Sequence, residues 1–261
     1  MRIVRFKANN HFAYGTLSGT TIEVIRSTPF EGFDLTGEAL SLKQARLLAP
    51  VEPPNVIALG LNYRRHAEES NMTVPRHPQM FLKATTSVIG PDEAIVVPSM
   101  APSEVDYEAE LCIVMGKEAK DVDEDEALEH VLGYTCGNDV SARDCQLRLD
   151  AQWARGKSFD TFCPLGPWIE TDLDPDNCDI ASRVNGEVMQ QSDTADMIFD
   201  CRQLISFLSR VMTLLPGTII MTGTPEGVGF ARKPPVFLKP GDVVEVEVGG
   251  IGVLRNPVVA A

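Results

Sequence analysis

No apolar run in this sequence approaches the ~18 residues that a membrane-spanning helix needs. The cationic start MRIVRFKANNHF is followed by neither an apolar h-region nor a small-residue cleavage site. A membrane or secreted protein is therefore not expected, and the cytoplasm is the expected location. The six cysteines (Cys112, Cys136, Cys145, Cys163, Cys178, Cys201) form no CxxC pair and fall at irregular spacings. That excludes a zinc cluster or a disulfide framework and predicts reduced core thiols. Positive charge is scarce, with 23 Lys and Arg against 37 Asp and Glu and a formal charge of −14. Nucleic acid and anionic membranes are excluded as partners, because the overall field repels them. A small anionic substrate would have to be drawn in locally, by a bound divalent cation and a few basic side chains.

What is there reads mainly as strands. RIVRF, HFAYGTL and TIEVI alternate between Asn-Asn and Ser-Gly breaks, predicting a small β-meander subdomain over residues 1–50 that ends near the linker APVEPPN. A larger domain is expected over 51–261. VIALGLNY, FLKATTSVIG, AIVVP, YEAELCIVMG, TIIMTGTP and VVEVEVGGIGVL are its strand candidates, and Asn185-Gly186 in RVNGEVM is a hairpin signal. RRHAEES can start a short helix, the acids of DEDEALEHVLGY suit a helix N-terminus, and Ser141 is placed to cap SARDCQLRL. The spacing of Leu204, Leu208, Val211 and Leu215 predicts a helix over 201–215, with an Asp200/Gln203 capping box and Pro216-Gly217 as its stop. Strands outnumber helices, so the expected class is a β-rich α+β fold.

Glu108 and Glu110 in DYEAELCIVMG lie two apart, which on a strand puts both carboxylates on one face with Cα atoms roughly 6.5–7 Å apart. Spacing alone is weak evidence, since Glu245 and Glu247 repeat it and a solvated face is the ordinary reading of such a pair. Their company separates them. Glu245 and Glu247 alternate with three valines, the usual polar-out pattern, whereas Glu108 and Glu110 share their face with Cys112 and Val114. Two buried carboxylates need a compensating charge, and a metal supplies it simply. Asp139, where an apolar run gives way to a loop, is a third oxygen candidate. Carboxylates without a Cys/His cluster favour a hard cation, Mg²⁺ or Mn²⁺, with Ca²⁺ also possible.

His66 and Glu69, one helical turn apart, suit a general base whose imidazole is oriented by the carboxylate. His11, His77 and His130 read as surface residues. Lys157 stands beside Gly156 in an apolar-aromatic stretch and can neutralise a carboxylate or a developing oxyanion. Arg143 and Gln146 lie one turn apart just after Asp139 and can reach the same substrate. TGTPEGVG (222–229) offers backbone N–H groups and the Thr224 hydroxyl in a glycine loop with the form of an anion nest, with a plain turn as the alternative. It is not a Walker motif.

Taken together and in order, ALGLNYRRHAEES, PxMFLK (78–83), DYEAELCIVMG, GYTCGNDVSARDCQ, ARGKSFDTFCPLGPW, VNGEVMQ and LLPGTIIMTGTPEGVG resemble the fumarylacetoacetate hydrolase family over about residues 55–257. The resemblance implies a mixed β-roll in a homodimer and a metal-dependent catalytic domain over 51–261. It implies a metal on Glu108, Glu110 and Asp139, a base made by His66 and Glu69, and substrate contacts from Lys157, Arg143 and Gln146. It further implies action on small 2-oxo-acids through a metal-stabilised enolate. Acylpyruvate hydrolysis and oxaloacetate decarboxylation are the first expectations, and isomerisation of a hydroxy-diene-dioate is the alternative. A catalytically silent metal- or 2-oxo-acid-binding protein is the alternative of another class. The short N-terminal part departs from the family's namesake enzyme, which makes fumarylacetoacetate itself an unexpected substrate.

Overall fold

Period-two alternation builds most of the chain into strands, and a computed structural model describes all of it, Met1–Ala261. The main sheet runs, edge to edge, Leu35–Ser41, Thr21–Ile25, His11–Ser18, Arg2–Ala8, Cys163–Glu170, Val131–Asn138, Ala109–Met115, Ile219–Met221, Val56–Gly60 and Gln79–Lys83. The first four of these form the antiparallel meander, which joins the rest where Ile3 pairs with Ile169. A second sheet is ordered Glu187–Asp193, Asp179–Val184, Val243–Val248, Gly252–Ala260, Ile95–Val97. Asn185 and Gly186, at φ 54° and 82°, make the tight turn of its first hairpin. The β-rich α+β expectation is met, and no helix is long and apolar enough to cross a membrane.

The centre of the molecule is Ala109–Met115, buried at every residue. Leu111, Ile113 and Met115 face a core that includes Leu204 and Leu208 of the helix Cys201–Val211 and Val246 and Val248 of the second sheet. Cys112 and Val114 face the opposite core with Ile3, Val56 and Leu165. With both faces covered, the strand is apolar throughout except where Glu110 enters it. All six cysteines are buried and unpaired, as their spacing predicted.

Three local expectations are corrected. The helix 201–215 stops at Val211, with Val211 and Leu215 exposed, and its buried face is Cys201, Leu204, Ile205 and Leu208. Reciprocal hydrogen bonds between Leu214 and Ala119 draw the chain into a β-bridge before Pro216 is reached. DEDEALEHVLGY yields only a 3₁₀ turn, Ala127–His130, because Gly116 and Lys117 both donate to the His130 carbonyl and commit the next residues to the sheet. Ser141 caps nothing: it pairs with Asp106 in a two-residue bridge, and Asp144 caps the π-helical turn Cys145–Leu149 instead.

The capping box does form, with Asp200 accepting from the Gln203 N–H at 2.9 Å and Gln203 accepting from the Asp200 N–H at 3.1 Å. Asp200→Ala should therefore lower stability by about 1 kcal/mol. In a chain of this size that is a fall of about 2–4 °C in thermal midpoint, measurable by calorimetry.

Candidate functional site

Antiparallel pairing of Ala109–Met115 with Val131–Asn138 sets Glu110 opposite Gly137 and Ala109 opposite Asn138. Beyond the last pair, the Asp139 N–H donates to the Glu108 carbonyl (2.9 Å), and the Asn138 side chain accepts from the Glu108 N–H (3.0 Å). The two strand ends are thereby fixed, and Glu108, Glu110 and Asp139 converge, with one carboxylate oxygen of each within 4.8 Å of the others. Gly137 is required there, because a Cβ on it would overlap Cys112 Sγ.

All three acids are buried, and the charges around them are unequal. Lys157 Nζ bridges Glu108 (2.8 Å) and Asp139 (2.7 Å), Lys83 pairs with Asp139, and Arg143 Nη2 lies 2.7 Å from Glu108. Burial pushes the Glu108 carboxyl up, but Lys157 and Arg143 outweigh it and hold the group at about 2. Glu110 has no such cation. Burial, then Asp139 and Glu108, push its carboxyl well above the usual range. Its Oε2 accepts from the Gly223 N–H at 2.8 Å, while its Oε1 is buried without any partner. An orphaned carboxylate oxygen beside two further acids, in an all-oxygen donor set, fits a hard divalent cation.

Arg143 is itself held by further partners. Its Nε donates to Asp106 (2.8 Å), its Nη1 to Gln146 (2.8 Å), and its guanidinium stacks 4.4 Å from the Phe230 ring. Asp106, fully buried, also accepts the N–H groups of Gly229 (2.8 Å) and Phe230 (3.0 Å). His66 Nδ1 lies 2.8 Å from Glu69 Oε1, and both oxygens of Glu69 accept from the Gly227 N–H at 3.0 Å. The glycine loop is thus an anion nest in form, but its N–H groups at 223 and 227 serve the protein's own carboxylates. The Thr224 hydroxyl donates to the Ala109 carbonyl (2.9 Å) and accepts from Gln190 (2.8 Å).

A cavity of about 90 Å³ is lined by His66, Glu108, Arg143, Gln146, Lys157 and Thr224, along with apolar side chains. Six of the nine residues singled out from the sequence line it, two more lie directly behind the lining, and Glu69 joins them through His66. Glu110 and Asp139 sit behind Glu108 and Lys157 rather than on the cavity wall. A larger cleft of about 400 Å³, beside Arg5, Phe12 and Thr86, contains none of these groups.

Sequence reasoning missed Lys83 and Asp106. Lys83 follows Phe81 at period two and is buried, while Leu82 between them is half exposed. Only the pairing of this edge strand makes that inversion visible. Asp106 had a signal, since Asp106, Glu108 and Glu110 continue one period-two series.

Comparison with known proteins gives the family. A family model described as fumarylacetoacetate (FAA) hydrolase C-terminal matches residues 55–259, and one described as Rv2993c-like, N-terminal matches residues 1–50. An uncharacterized protein of Archaeoglobus fulgidus is 50% identical over 238 residues, covering 88% of this chain and 92% of that one. The mitochondrial oxaloacetate tautomerase fahd2 of Xenopus laevis is 46% identical over 237 residues, covering 89% of this chain and 74% of that one. The crystal structure of 5-carboxymethyl-2-hydroxymuconate delta-isomerase from Mycobacterium smegmatis superposes with a TM-score of 0.91 at 45% identity, covering 100% of both chains. With the ordered motifs, the β-rich fold and the buried acid triad all in agreement, the chain belongs to the fumarylacetoacetate hydrolase family.

Proposed function

We propose that this protein is a Mg²⁺- or Mn²⁺-dependent enzyme that moves protons at the carbon beside the keto group of small 2-oxo-acids. The observation that carries this reading is the meeting of His66, Lys157 and Arg143 in one small cavity over the three buried carboxylates. A metal held by Glu108, Glu110 and Asp139 would supply a Lewis acid for the keto oxygen and its developing charge. Counted without it, the acids Asp106, Glu108, Glu110 and Asp139 face the permanent cations Lys83, Arg143 and Lys157, one positive charge too few. A divalent ion reverses that sign and makes the cavity attractive to an anion despite the acidic chain.

The chain's own groups supply the rest. Lys157 and Arg143 neutralise the substrate carboxylate, and Gln146, held by Arg143, offers its amide to it. Thr224, whose proton is committed to Ala109, can offer only an acceptor. His66 is the base: Glu69 fixes Nδ1, leaving Nε2 free to take a proton. Glu69 is in turn fixed by Gly227, so the imidazolium formed meets a carboxylate that does not have to move.

Taking a proton from the carbon beside the keto group and delivering one to the keto oxygen, or the reverse, interconverts keto and enol forms, the reaction in the name of the Xenopus relative. This reading is favoured because it asks nothing of the site beyond the base and the cations. Returning the proton farther along a conjugated chain gives the isomerisation in the name of the M. smegmatis protein, which makes it the second reading. Acylpyruvate hydrolysis needs in addition a water placed against a distal carbonyl, and oxaloacetate decarboxylation needs the departing CO₂ to leave without a proton transfer. The division into residues 1–50 and a catalytic unit over 51–261 belongs to the same proposal, as does the homodimer, which light scattering tests.

The deciding experiment follows oxaloacetate, acylpyruvates and a hydroxy-diene-dioate by NMR with Mg²⁺ and with Mn²⁺, scoring enol–keto exchange, CO₂ release, hydrolysis and double-bond migration separately. Enol–keto exchange should be the fastest. Calorimetric binding of oxalate with no turnover of any acid would instead mark a silent binding protein.

Mn²⁺ should raise the thermal midpoint of the wild type, as any ligand selective for the folded state does. Glu108→Ala should abolish that rise and the activity together. His66→Ala should keep the rise and lose about 10²–10⁴-fold in rate, the usual contribution of a positioned base. Exchange at the wild-type rate in His66→Ala would show that the base lies elsewhere.

A further inference from the structure

The geometry points to Trp153 as the residue that limits how long a 2-oxo-acid the cavity accepts. The nature of the ligand rests on the function proposed above, while the wall itself rests on packing. Trp153 stands at the start of the short helix Ala154–Lys157, four residues before Lys157, and so presents its ring on the side of the helix that carries the lysine. Its ring and that of Phe81 border the site cavity of about 90 Å³. The same two rings border an adjoining open cleft of about 230 Å³, lined further by Gln79, Met80, Ala151 and Gln152. They are the partition between the two spaces.

The partition is held in place from several sides. Trp153 meets Phe81 edge-on, with centroids 5.6 Å apart and planes at 78°. The Lys157 ammonium lies 5.3 Å from the centroid of the Phe81 ring. Behind Trp153, Gly60 has no side chain, and a Cβ there would overlap the indole. Gly156 lets the helix seat closely against the turn that carries Gln146, since a Cβ on it would press on Ala142 and Gln146. A large aromatic ring fixed at this point closes the cavity to any tail that extends past it, and a small residue would join the cavity to the cleft. Substrates are thereby confined to acids with a short tail beyond the keto group. An apolar pocket discriminates such tails by roughly 10–200-fold for each methylene that fails to fit.

Two probes test this, 2-oxobutyrate and 2-oxooctanoate, which share the head group and differ by four methylenes. Enol–keto exchange and calorimetric affinity are measured for both with the Mn²⁺-loaded protein. The wild type should favour the short acid. Trp153→Ala should shift the long-to-short ratio of kcat/KM by at least tenfold toward the long acid and keep the Mn²⁺-induced rise in thermal midpoint. Trp153→Leu, which still packs on Phe81 and Gly60, should shift it in the same direction and serves if the alanine variant does not fold. An unchanged ratio in a folded variant overturns the proposal.

A measurement on the intact wall is independent of these variants. The chain has two tryptophans; in a Trp168→Phe protein Trp153 is the sole reporter, and oxalate binding to the Mn²⁺-loaded form should change its emission. Oxalate binding seen by calorimetry with emission unaltered would place Trp153 outside the site. If the wild type neither binds nor turns over either acid, the functional reading fails. If it handles the short acid and the variants do not shift the ratio, only the wall fails.

Discussion

Three carboxylates buried together repel one another in a medium that screens poorly, and most of the local architecture answers that one constraint. The penalty for a buried unpaired ion is several kcal/mol even after relaxation. Glu108 and Asp139 are each met by two cations, Glu108 by Lys157 and Arg143 and Asp139 by Lys157 and Lys83. Glu110 receives one backbone N–H and nothing on its other oxygen. The deficit is thus concentrated on a single residue rather than spread over the triad. A site balanced by side chains alone would have no reason to bind a metal, whereas this one has a defined place for it.

Arg143 does more than balance the charge of Glu108, because it is also tied to a further buried acid. Arg143 is gripped by Asp106, which also accepts two N–H groups from residues 229 and 230. Two residues earlier in that loop, Gly227 grips Glu69, the partner of His66. The loop 222–230 therefore touches Glu110 through Gly223, Glu69 and with it His66 through Gly227, and Arg143 through Asp106. A loop whose donors are spent on the protein's own anions cannot act as a phosphate nest, and this is why its glycine-rich sequence does not signal nucleotide chemistry. What it achieves is mutual orientation of three groups from different parts of the chain, on which the proposed proton transfer depends.

What could be read from the sequence divides along the same line. The triad and the His66–Glu69 pair were legible because each declares itself locally: acids amid apolar residues on a strand, and a base and its carboxylate one helical turn apart. Ordered motifs then tied them to one family. Lys83 was not legible, since its burial depends on an edge strand folding over Asp139, 56 residues away. Trp153 was silent for a similar reason, as an aromatic residue in a loop says nothing until Phe81 and Gly60 are set beside it. Helix ends were misjudged where a distant partner decided them: the bridge between Leu214 and Ala119 ends the helix at Val211 although the apolar spacing continues. Ser141 was drawn into a bridge with Asp106 by the same kind of non-local pairing, leaving the cap to Asp144.

The separation of metal acids from cavity wall bears on why one framework carries several reactions. Of the three acids only Glu108 reaches the wall, and Glu110 and Asp139 lie behind it, so most of the group that would hold the metal is set apart from the side chains that would meet the substrate tail. Every reaction considered for this site passes through an enolate with its charge on the same keto oxygen, and a metal on the buried acids would meet that charge. The reactions differ in where a proton or a water goes afterwards, which depends on the side chains along the tail and on how far the tail can extend. Changes at Trp153, Phe81, Met72 or Leu147 can alter that outcome without touching an ion pair, because none of these side chains carries charge. Changes at Asp106 or Lys83 cannot, since each leaves a buried counterion unpaired.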